Sequence, residues 1–359
     1  MQPLVLQGPR THVLVRVDTD RGVSGVGEAP GSPVVGVKEG VLALRPEVLG
    51  RDPLELDALF RVLLNRAPGR GVLSAAGAIE MALWDIAGKL LDVPASTLLG
   101  GRHREQVRVS VASQPRTMLS VDACREWADR LKAHPAGYTA VHLELGAAPA
   151  APQAWRDVIR GIENCRGALG ADIDIVLDCG GQFDLPAAIR FCELVAPVAP
   201  LSVEDPLPAG YAEAWTRLTG ASRVPICTGG SLGARQDFAA FVSRRGCDIL
   251  SFDVRNTGGL LESKRIAETA GLAHLPVAAK SSGTVVSALA TAHCAAACPD
   301  FTLAQLEAGR GNWMDDLIVR EGPLVNRGHL TVPAAPGLGF VLNGDAIRSN
   351  LAAGESYWQ

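Results

Sequence analysis

Ionisable residues follow a series of short apolar runs in the second half of the chain, each at the point where a run ends. The runs end at Asp178, Glu204, Gly230, Asp253, Lys280 and Glu307, at spacings of 26, 26, 23, 27 and 27 residues. Side chains that follow neighbouring parallel strands gather at one edge of a sheet, where they can hold a cation or exchange protons with a substrate. The pattern therefore predicts one site built from several strand ends.

The spacing between these runs leaves room for a loop, an amphipathic helix and a return strand. Such serial units predict a modified TIM (β/α)8 barrel, or a (β/α)7β variant, with its site at the carboxyl ends of the strands. A doubly wound open sheet is the alternative. The predicted strands are 107–113, 139–145, 173–178, 200–204, 224–230, 248–253, 275–280 and 301–307.

A different pattern precedes the barrel. Residues 11–30 alternate between apolar and polar side chains around a turn at Arg21-Gly22, which predicts a β-hairpin. Three helical patterns follow at 38–49, 53–66 and 71–91, and small or apolar residues on most faces of the last one predict a buried helix. We therefore expect an α+β capping domain over 1–102, a barrel over 103–315, and a segment over 316–359 that returns to complete the cap.

Composition excludes several classes of function. The 359 residues are 47% hydrophobic and 20% charged with a net charge of −4, so no basic surface for nucleic acid is indicated. Eight cysteines without a CxxC pair predict neither a zinc site nor a disulfide framework. With no basic-apolar leader and no apolar stretch long enough to span a bilayer, we expect no membrane partner and a cytoplasmic location.

Several motifs carry a resemblance that covers nearly the whole chain. They are Ala82-Leu83-Trp84-Asp85-Ile86-Ala87-Gly88-Lys89, Leu98-Leu99-Gly100-Gly101-Arg102, Val203-Glu204-Asp205-Pro206-Leu207-Pro208 and 331–339. Together they resemble the mandelate racemase/muconate lactonizing group of the enolase superfamily. The resemblance implies a capping domain over a modified TIM barrel and removal of the proton α to a carboxylate, with the enolate held on Mg²⁺. One departure is expected at the start, where the family has an extra strand before the hairpin.

The resemblance assigns the Mg²⁺ ligands to three successive strand ends. Asp178 and Glu204 match the first two positions, although both could simply be solvated acids. The third position is Gly230, which has no side chain, and the hydroxyl of Ser231 is a poor substitute for a carboxylate. Since Mg²⁺ prefers octahedral oxygen coordination, two acids would bind it weakly or not at all.

The family's acid and base positions have also changed. Its Lys-x-Lys motif aligns with His142-Leu143-Glu144, while Asp253 remains and would lie beside Lys280 of the next strand. Lys280 is either a base or, without a strongly bound metal, a charged counter-ion standing where part of the metal charge would stand. Glu144 is either a replacement metal ligand or a general base, and His142 either titrates or supports a neighbour. Glu307 occupies the position of the final carboxylate.

An apolar contact with the distal part of the substrate, and not the charged contact that a sugar acid would want, is expected from the small, apolar loop 28–35, in particular from Val34 and Val35, with Arg310 and Trp313 at the same mouth. Two hypotheses remain open. The first is a racemase, dehydratase or lyase that acts on a small-molecule carboxylate by abstracting its α-proton. The second is a catalytically impaired member that binds a small molecule or acts as a scaffold. In either case we expect a homo-oligomer.

Overall fold

The amino-terminal half of the cap is a three-stranded antiparallel sheet followed by three helices. In the computed structural model, the described residues are 1–8, 10–31, 34–66, 69–146, 149, 151–307, 309 and 312–358, with only the backbone of Pro152. The elements are β1 (Gln2–Leu6), β2 (His12–Asp18), β3 (Ser24–Pro30), α1 (Val37–Val48), α2 (Leu56–Asn65) and α3 (Arg70–Leu91). The predicted hairpin and all three helices are confirmed.

The expectation of a missing opening strand is wrong. Residues Gln2–Leu6 form β1, which pairs antiparallel with β2. Leu4 and Leu6 are fully buried, because alternate side chains of the strand point into the core. The run is only five residues long and lacks polar residues between its apolar ones, which is why its alternation is not visible in the sequence.

Helix α3 is the core of the cap, and it lies against β3 at very short range. A Cβ atom at Gly25 would overlap the carbonyl of Ala82, and one at Gly27 would overlap that of Ala78. Glycine therefore lets the backbones touch. By length and composition α3 could cross a membrane, contrary to the expectation that no stretch could. However, 89% of its most apolar window is buried inside the protein, as in the core helix of a soluble domain.

The barrel closes, which confirms the predicted fold and excludes the open sheet. Its eight parallel strands lie in chain order from β4 to β11, and β11 pairs with β4 through Ala304 opposite Val109. The elements are α4 (Ala95–Leu98), β4 (Gln106–Ala112), α5 (Val121–Lys132), β5 (Ala140–Glu144), α6 (Pro152–Leu169), β6 (Asp174–Asp178), α7 (Leu185–Val195), β7 (Ser202–Glu204), α8 (Glu213–Ala221), β8 (Ile226–Thr228), α9 (Arg235–Ser243), β9 (Ile249–Phe252), α10 (Val254–Thr257), α11 (Leu260–Gly271), β10 (Val277–Ser281), α12 (Val285–Ala296) and β11 (Phe301–Leu306).

The carboxyl-terminal segment contacts both parts of the molecule. It contains β12 (Ile318–Val319), β13 (Val325–Asn326), β14 (His329–Thr331), β15 (Val341–Leu342) and α13 (Gly344–Ser349). Strand β14 pairs antiparallel with barrel strand β4. The last residues then reach the cap sheet, where the backbone N–H of Ala352 donates to the carbonyl of Val5 at 2.9 Å.

Buried carboxylates of the cap hold the start of barrel helices. Glu80 of α3 accepts hydrogen bonds from the backbone N–H groups of Leu260 (2.8 Å) and Leu261 (2.9 Å) and from Trp84 Nε1 (2.6 Å). Burial raises the pKa of Glu80 to about 7 in spite of these donors. The amino end of α11 therefore binds a cap carboxylate, as helix amino ends bind anions, and the cap is fixed over the barrel mouth.

Candidate active site

Three carboxylates follow successive barrel strands. The parallel pairing places Glu144 opposite Asp178 and Asp178 opposite Glu204. Asp178 and Glu204 are buried, whereas Glu144 is exposed. The predicted strand ends thus come together, but only two of the three acids lie inside the barrel mouth.

The Lys280 ammonium lies between the two buried acids. Its Nζ donates to Asp178 Oδ2 at 2.6 Å and lies 3.5 Å from Glu204 Oε1, an oxygen that accepts no hydrogen bond from the described residues. Burial alone would lower the pKa of Lys280, but the carboxylates of Glu204, Asp178 and Asp205 raise it above its ordinary value. With a carboxylate on either side of its ammonium, Lys280 is placed as a counter-ion, and its raised pKa agrees with this role.

His142 supports Glu204 from the neighbouring strand. Its Nε2 lies 3.0 Å from Glu204 Oε2, and its Nδ1 lies 3.0 Å from Ser110 Oγ. Burial would raise the pKa of Glu204, but Lys280 and His142 lower it to about 2, so this carboxylate is ionised at neutral pH. Because both ring nitrogens are occupied, His142 is arranged as a supporting residue.

Asp205 is a site residue that sequence reasoning missed. It lies in the left-handed region with φ of 44°, and Thr228 Oγ1 donates to its Oδ1 at 2.6 Å. Burial and the adjacent charge of Glu204 raise the pKa of Asp205 to about 7. The Glu204-Asp205-Pro206 motif was visible in the sequence, but nothing there indicated that the second acid also enters the site.

Asp253 does not pair with Lys280 as expected. Its Oδ1 accepts from the backbone N (2.9 Å) and Nε (3.1 Å) of Arg255, and its Oδ2 accepts from Arg255 Nη2 (2.6 Å). The reason is local: Asp253 caps the short helix α10, which turns Arg255 back onto the carboxylate. This bidentate pair is buried and leaves Lys280 to Asp178 and Glu204.

The cap contributes a histidine–carboxylate pair that the sequence did not reveal. Glu28 accepts hydrogen bonds from the backbone N–H (2.9 Å) and Oγ1 (2.6 Å) of Thr284 and the N–H of Ser287 (3.1 Å) at the start of α12, and its Oε1 lies 3.1 Å from His12 Nδ1. Burial would raise the pKa of Glu28, but His12 and Arg255 lower it to about 2. The ionised carboxylate fixes Nδ1 of His12 as a donor.

Some of the site residues, but not Asp178 or Glu204, line two connected cavities between cap and barrel. The wide lobe has a volume of about 480 Å³ and is lined by Glu144 and Glu307, among others. The narrow lobe has a volume of about 290 Å³ and contains Asp253 and Lys280. Both lobes share Arg10, His12 and Ser282, so they form one cleft.

The predicted substrate contacts have separate outcomes. Val34 lines the narrow lobe, whereas Val35 is 87% exposed and does not line either lobe. Trp313 packs edge-on against the His12 ring, with centroids 6.1 Å apart, so it positions this histidine. Arg310 lies outside the described residues.

Comparison with known proteins is decisive about the family. Residues 6–100 match the mandelate racemase/muconate lactonizing enzyme N-terminal domain, and residues 121–346 match the enolase C-terminal domain-like family. The chain belongs to the mandelate racemase/muconate lactonizing enzyme family of the enolase superfamily. The predicted resemblance is thus confirmed.

Its relatives include enzymes of sugar acids. A D-xylonate dehydratase of Haloferax volcanii is 30% identical, covering 99% of this chain and 89% of its own. A D-galactarolactone cycloisomerase of Agrobacterium fabrum is 29% identical over 94% and 90%. The solved structure of a mandelate racemase/muconate lactonizing enzyme-like protein from Rubrobacter xylanophilus superposes with a TM-score of 0.92 at 26% identity, over 100% of this chain and 98% of that one.

The Mg²⁺ ion that enolase-superfamily enzymes use does not fit the residues of this family member. Among the described residues there is no group of three or more His, Cys, Asp or Glu side chains placed to hold a metal ion, and the replacement of the missing ligand by Glu144 stays a prediction. Between Asp178 and Glu204 stands an ammonium group. A dication about 4 Å from it would be repelled by roughly 8 kcal/mol at an effective dielectric constant of about 20.

Proposed function

We propose that this family member is an enzyme that removes the α-proton of a small carboxylate bound in the cleft, as a racemase, dehydratase or lyase. The observation that carries the proposal is the Lys280 ammonium, which two buried carboxylates fix on the wall of a cleft that also contains His12. A fixed cation and a neighbouring proton acceptor are the two requirements of this chemistry.

The Lys280 ammonium supplies positive charge for the developing enolate. Removing a proton next to a carboxylate places a second negative charge on the substrate, and a pre-oriented cation in a water-poor site stabilises it. The hydrogen bond to Asp178 at 2.6 Å orients the ammonium before substrate binds. The remaining N–H groups can then donate to the substrate carboxylate.

His12 is the proposed proton acceptor. Its Nδ1 donates to Glu28, and its Nε2 makes no hydrogen bond to any residue that the structure describes. A histidine held by a carboxylate on one nitrogen presents a lone pair on the other, which is the arrangement of a general base. Glu144 of the wide lobe is an acid on a different element, and it can return or remove a proton on the other side of the substrate.

The proposed substrate is a hydroxylated acid. Around Val34 and Pro30 the narrow lobe is lined mainly by polar groups, including Thr11, Ser231 and Asn256. These groups suit the hydroxyls of a sugar acid, the substrate class of the named relatives. The apolar substrate contact predicted at Val34 stays a prediction and would be confined to this side of the lobe.

Proton exchange tests the proposal without knowledge of the product. The purified protein would be incubated in D₂O with a panel of small hydroxy and sugar acids and with EDTA present, and loss of the α-proton signal would be followed by NMR. We expect exchange with at least one acid, a loss of about 100-fold or more in His12→Gln, and little change in the control His103→Gln, whose side chain is exposed. Exchange unaffected by His12→Gln would contradict the role of His12.

A binding protein without catalysis is the second candidate. The observation that favours it is that Lys280 and Arg255 each already pair with a carboxylate, so both cations are neutralised before a substrate arrives. Tight binding of an acid in the same panel, with no exchange in any of them, would support this candidate over the enzyme. The eight cysteines are all buried free thiols, and a reducing cytoplasmic location and self-association stay predictions.

A further inference from the structure

Two positions on neighbouring parts of the barrel mouth fit each other. Gly230 follows β8, and a Cβ atom there would lie 3.2 Å from Cδ and 3.3 Å from Cβ of Lys280. These separations are shorter than ordinary van der Waals contact, so any side chain at 230 would press on the lysine stem. The backbone of Gly230 does not need glycine for its conformation, since its φ is not positive. A larger residue at 230 would therefore require the Lys280 stem to shift by a few tenths of an ångström.

We infer that Lys280 and Gly230 form a coupled pair that replaces a divalent cation and its third ligand, so that the site carries its own cation and works without metal. The inference deepens the proposed function, since it names the source of positive charge, but its test does not require activity. The ammonium occupies the space between Asp178 and Glu204, where an ion shared by both would have to stand.

Replacing a dication and its third carboxylate ligand by Lys280 and Gly230 leaves the formal charge of the site unchanged. One ammonium between the carboxylates of Asp178 and Glu204 gives a formal charge of −1 for these three groups. A dication among three carboxylates has the same sum. A carboxylate at position 230 would add one more negative charge to a site that already contains Asp178, Glu204 and Asp205, and a dication would add two positive charges beside the lysine. Lysine at position 280 and glycine at position 230 are therefore compatible with each other, whereas either one alone would destabilise the site.

The geometry of the ammonium suits this role. It donates a short hydrogen bond to Asp178 and faces the second acid, Glu204, whose other oxygen is held by His142. Mg²⁺ needs about six oxygen ligands near 2.1 Å, several of which water can supply, but here the ammonium takes the space between the two carboxylates that would bind the ion. The site is built around a tetrahedral donor and not around an octahedral ion.

The first test uses the unmodified protein. Metal content after purification would be measured by mass spectrometry, and thermal unfolding would be followed with Mg²⁺ up to about 10 mM and with EDTA. A ligand present at 100 times its Kd raises the unfolding temperature by a few degrees. We expect substoichiometric metal and shifts below about 1 °C. One equivalent of bound metal, or a rise of a few degrees with Mg²⁺ that EDTA reverses, would overturn the inference.

The second test restores a metal site by reversing both changes. In Gly230→Asp/Lys280→Ala the lysine stem is gone and a third carboxylate joins Asp178 and Glu204. We expect Mg²⁺ at about 10 mM to raise its unfolding temperature by at least roughly 3 °C, and Gly230→Ala/Lys280→Ala, which lacks the carboxylate, to respond much less. Equal responses of the two folded double variants would contradict the coupling. If they do not fold, the metal content and Mg²⁺ response of the unmodified protein decide the inference alone. Absence of proton exchange would leave both results standing.

Discussion

Lys280→Met is the substitution that most sharply probes the buried charges of the barrel mouth. Methionine keeps the length of the stem but removes the ammonium, which leaves Asp178 and Glu204 without their cation. Removing one partner of a buried ion pair costs about 3–5 kcal/mol. The pKa of Glu204, which Lys280 and His142 lower to about 2 in spite of burial, indicates the same direction of effect.

The loss of stability in Lys280→Met can be measured as a shift in Tm. At about 2.1 cal/mol/K per residue, cooperative unfolding of all 359 residues has an entropy of about 0.75 kcal/mol/K. A loss of 3–5 kcal/mol therefore lowers Tm by roughly 4–7 °C at about pH 7.5, as measured by circular dichroism. The matched control is Lys132→Met, which removes the same charge from an exposed side chain and should change Tm by less than about 1 °C.

The stability difference between the unmodified protein and Lys280→Met should change with pH in a defined direction. In the unmodified protein the folded pKa of Glu204 lies below its unfolded value, so its contribution is complete above pH 4.5 and is lost as pH falls towards 2. In Lys280→Met, burial without a cation raises the carboxylate pKa instead, so this variant should gain stability as pH falls from about 7 to 5. The gap between the two proteins should narrow at low pH. A Tm unchanged by Lys280→Met, or a gap independent of pH, would refute the reasoning.

Three further predictions concern other parts of the molecule. Gly27→Ala forces a methyl group onto the carbonyl of Ala78 and should cost at least about 2 kcal/mol, seen as a lower Tm or insoluble protein, whereas Gly167→Ala in an open part of α6 should not destabilise. The pKa of Glu80 is raised from 4.5 to about 7, so the stability that this residue contributes falls as pH rises through this range. In thermal scans between pH 5 and 8, Glu80→Gln should therefore lose up to about 3 kcal/mol less stability than the unmodified protein. An equal loss in both proteins would contradict this prediction. Val34→Asp places a carboxylate in the narrow lobe and should weaken any bound acid at least about tenfold by calorimetry; unchanged affinity would place the ligand elsewhere.

Periodicity was sufficient to predict the barrel and the approximate ends of its strands. Because each apolar run is short and is followed by turn residues, the ends at Asp178 and Glu204 could be located without coordinates. Strand pairing then required these side chains to be neighbours. Where a strand was short and without polar alternation, as in β1, the same reasoning failed.

The pairing of charges within the site could not be predicted in the same way. Lys280 has a long flexible stem, so its position at a strand end does not determine which acid its Nζ reaches. Asp253 is captured by Arg255 through a single turn of helix whose path the sequence does not specify. His12 and Glu28 come from the cap, and their meeting with α12 depends on how the cap is seated on the barrel.

Anomalous scattering can show directly whether a metal ion lies between Asp178 and Glu204 or the Lys280 ammonium takes its place. Crystals grown with about 10 mM Mn²⁺, an ion that shares the octahedral oxygen preference of Mg²⁺, would be measured near the manganese absorption edge. We expect no anomalous peak between Asp178 and Glu204 and continuous density for Lys280 reaching both carboxylates. A strong anomalous peak between these two acids, with the lysine turned away, would contradict this expectation.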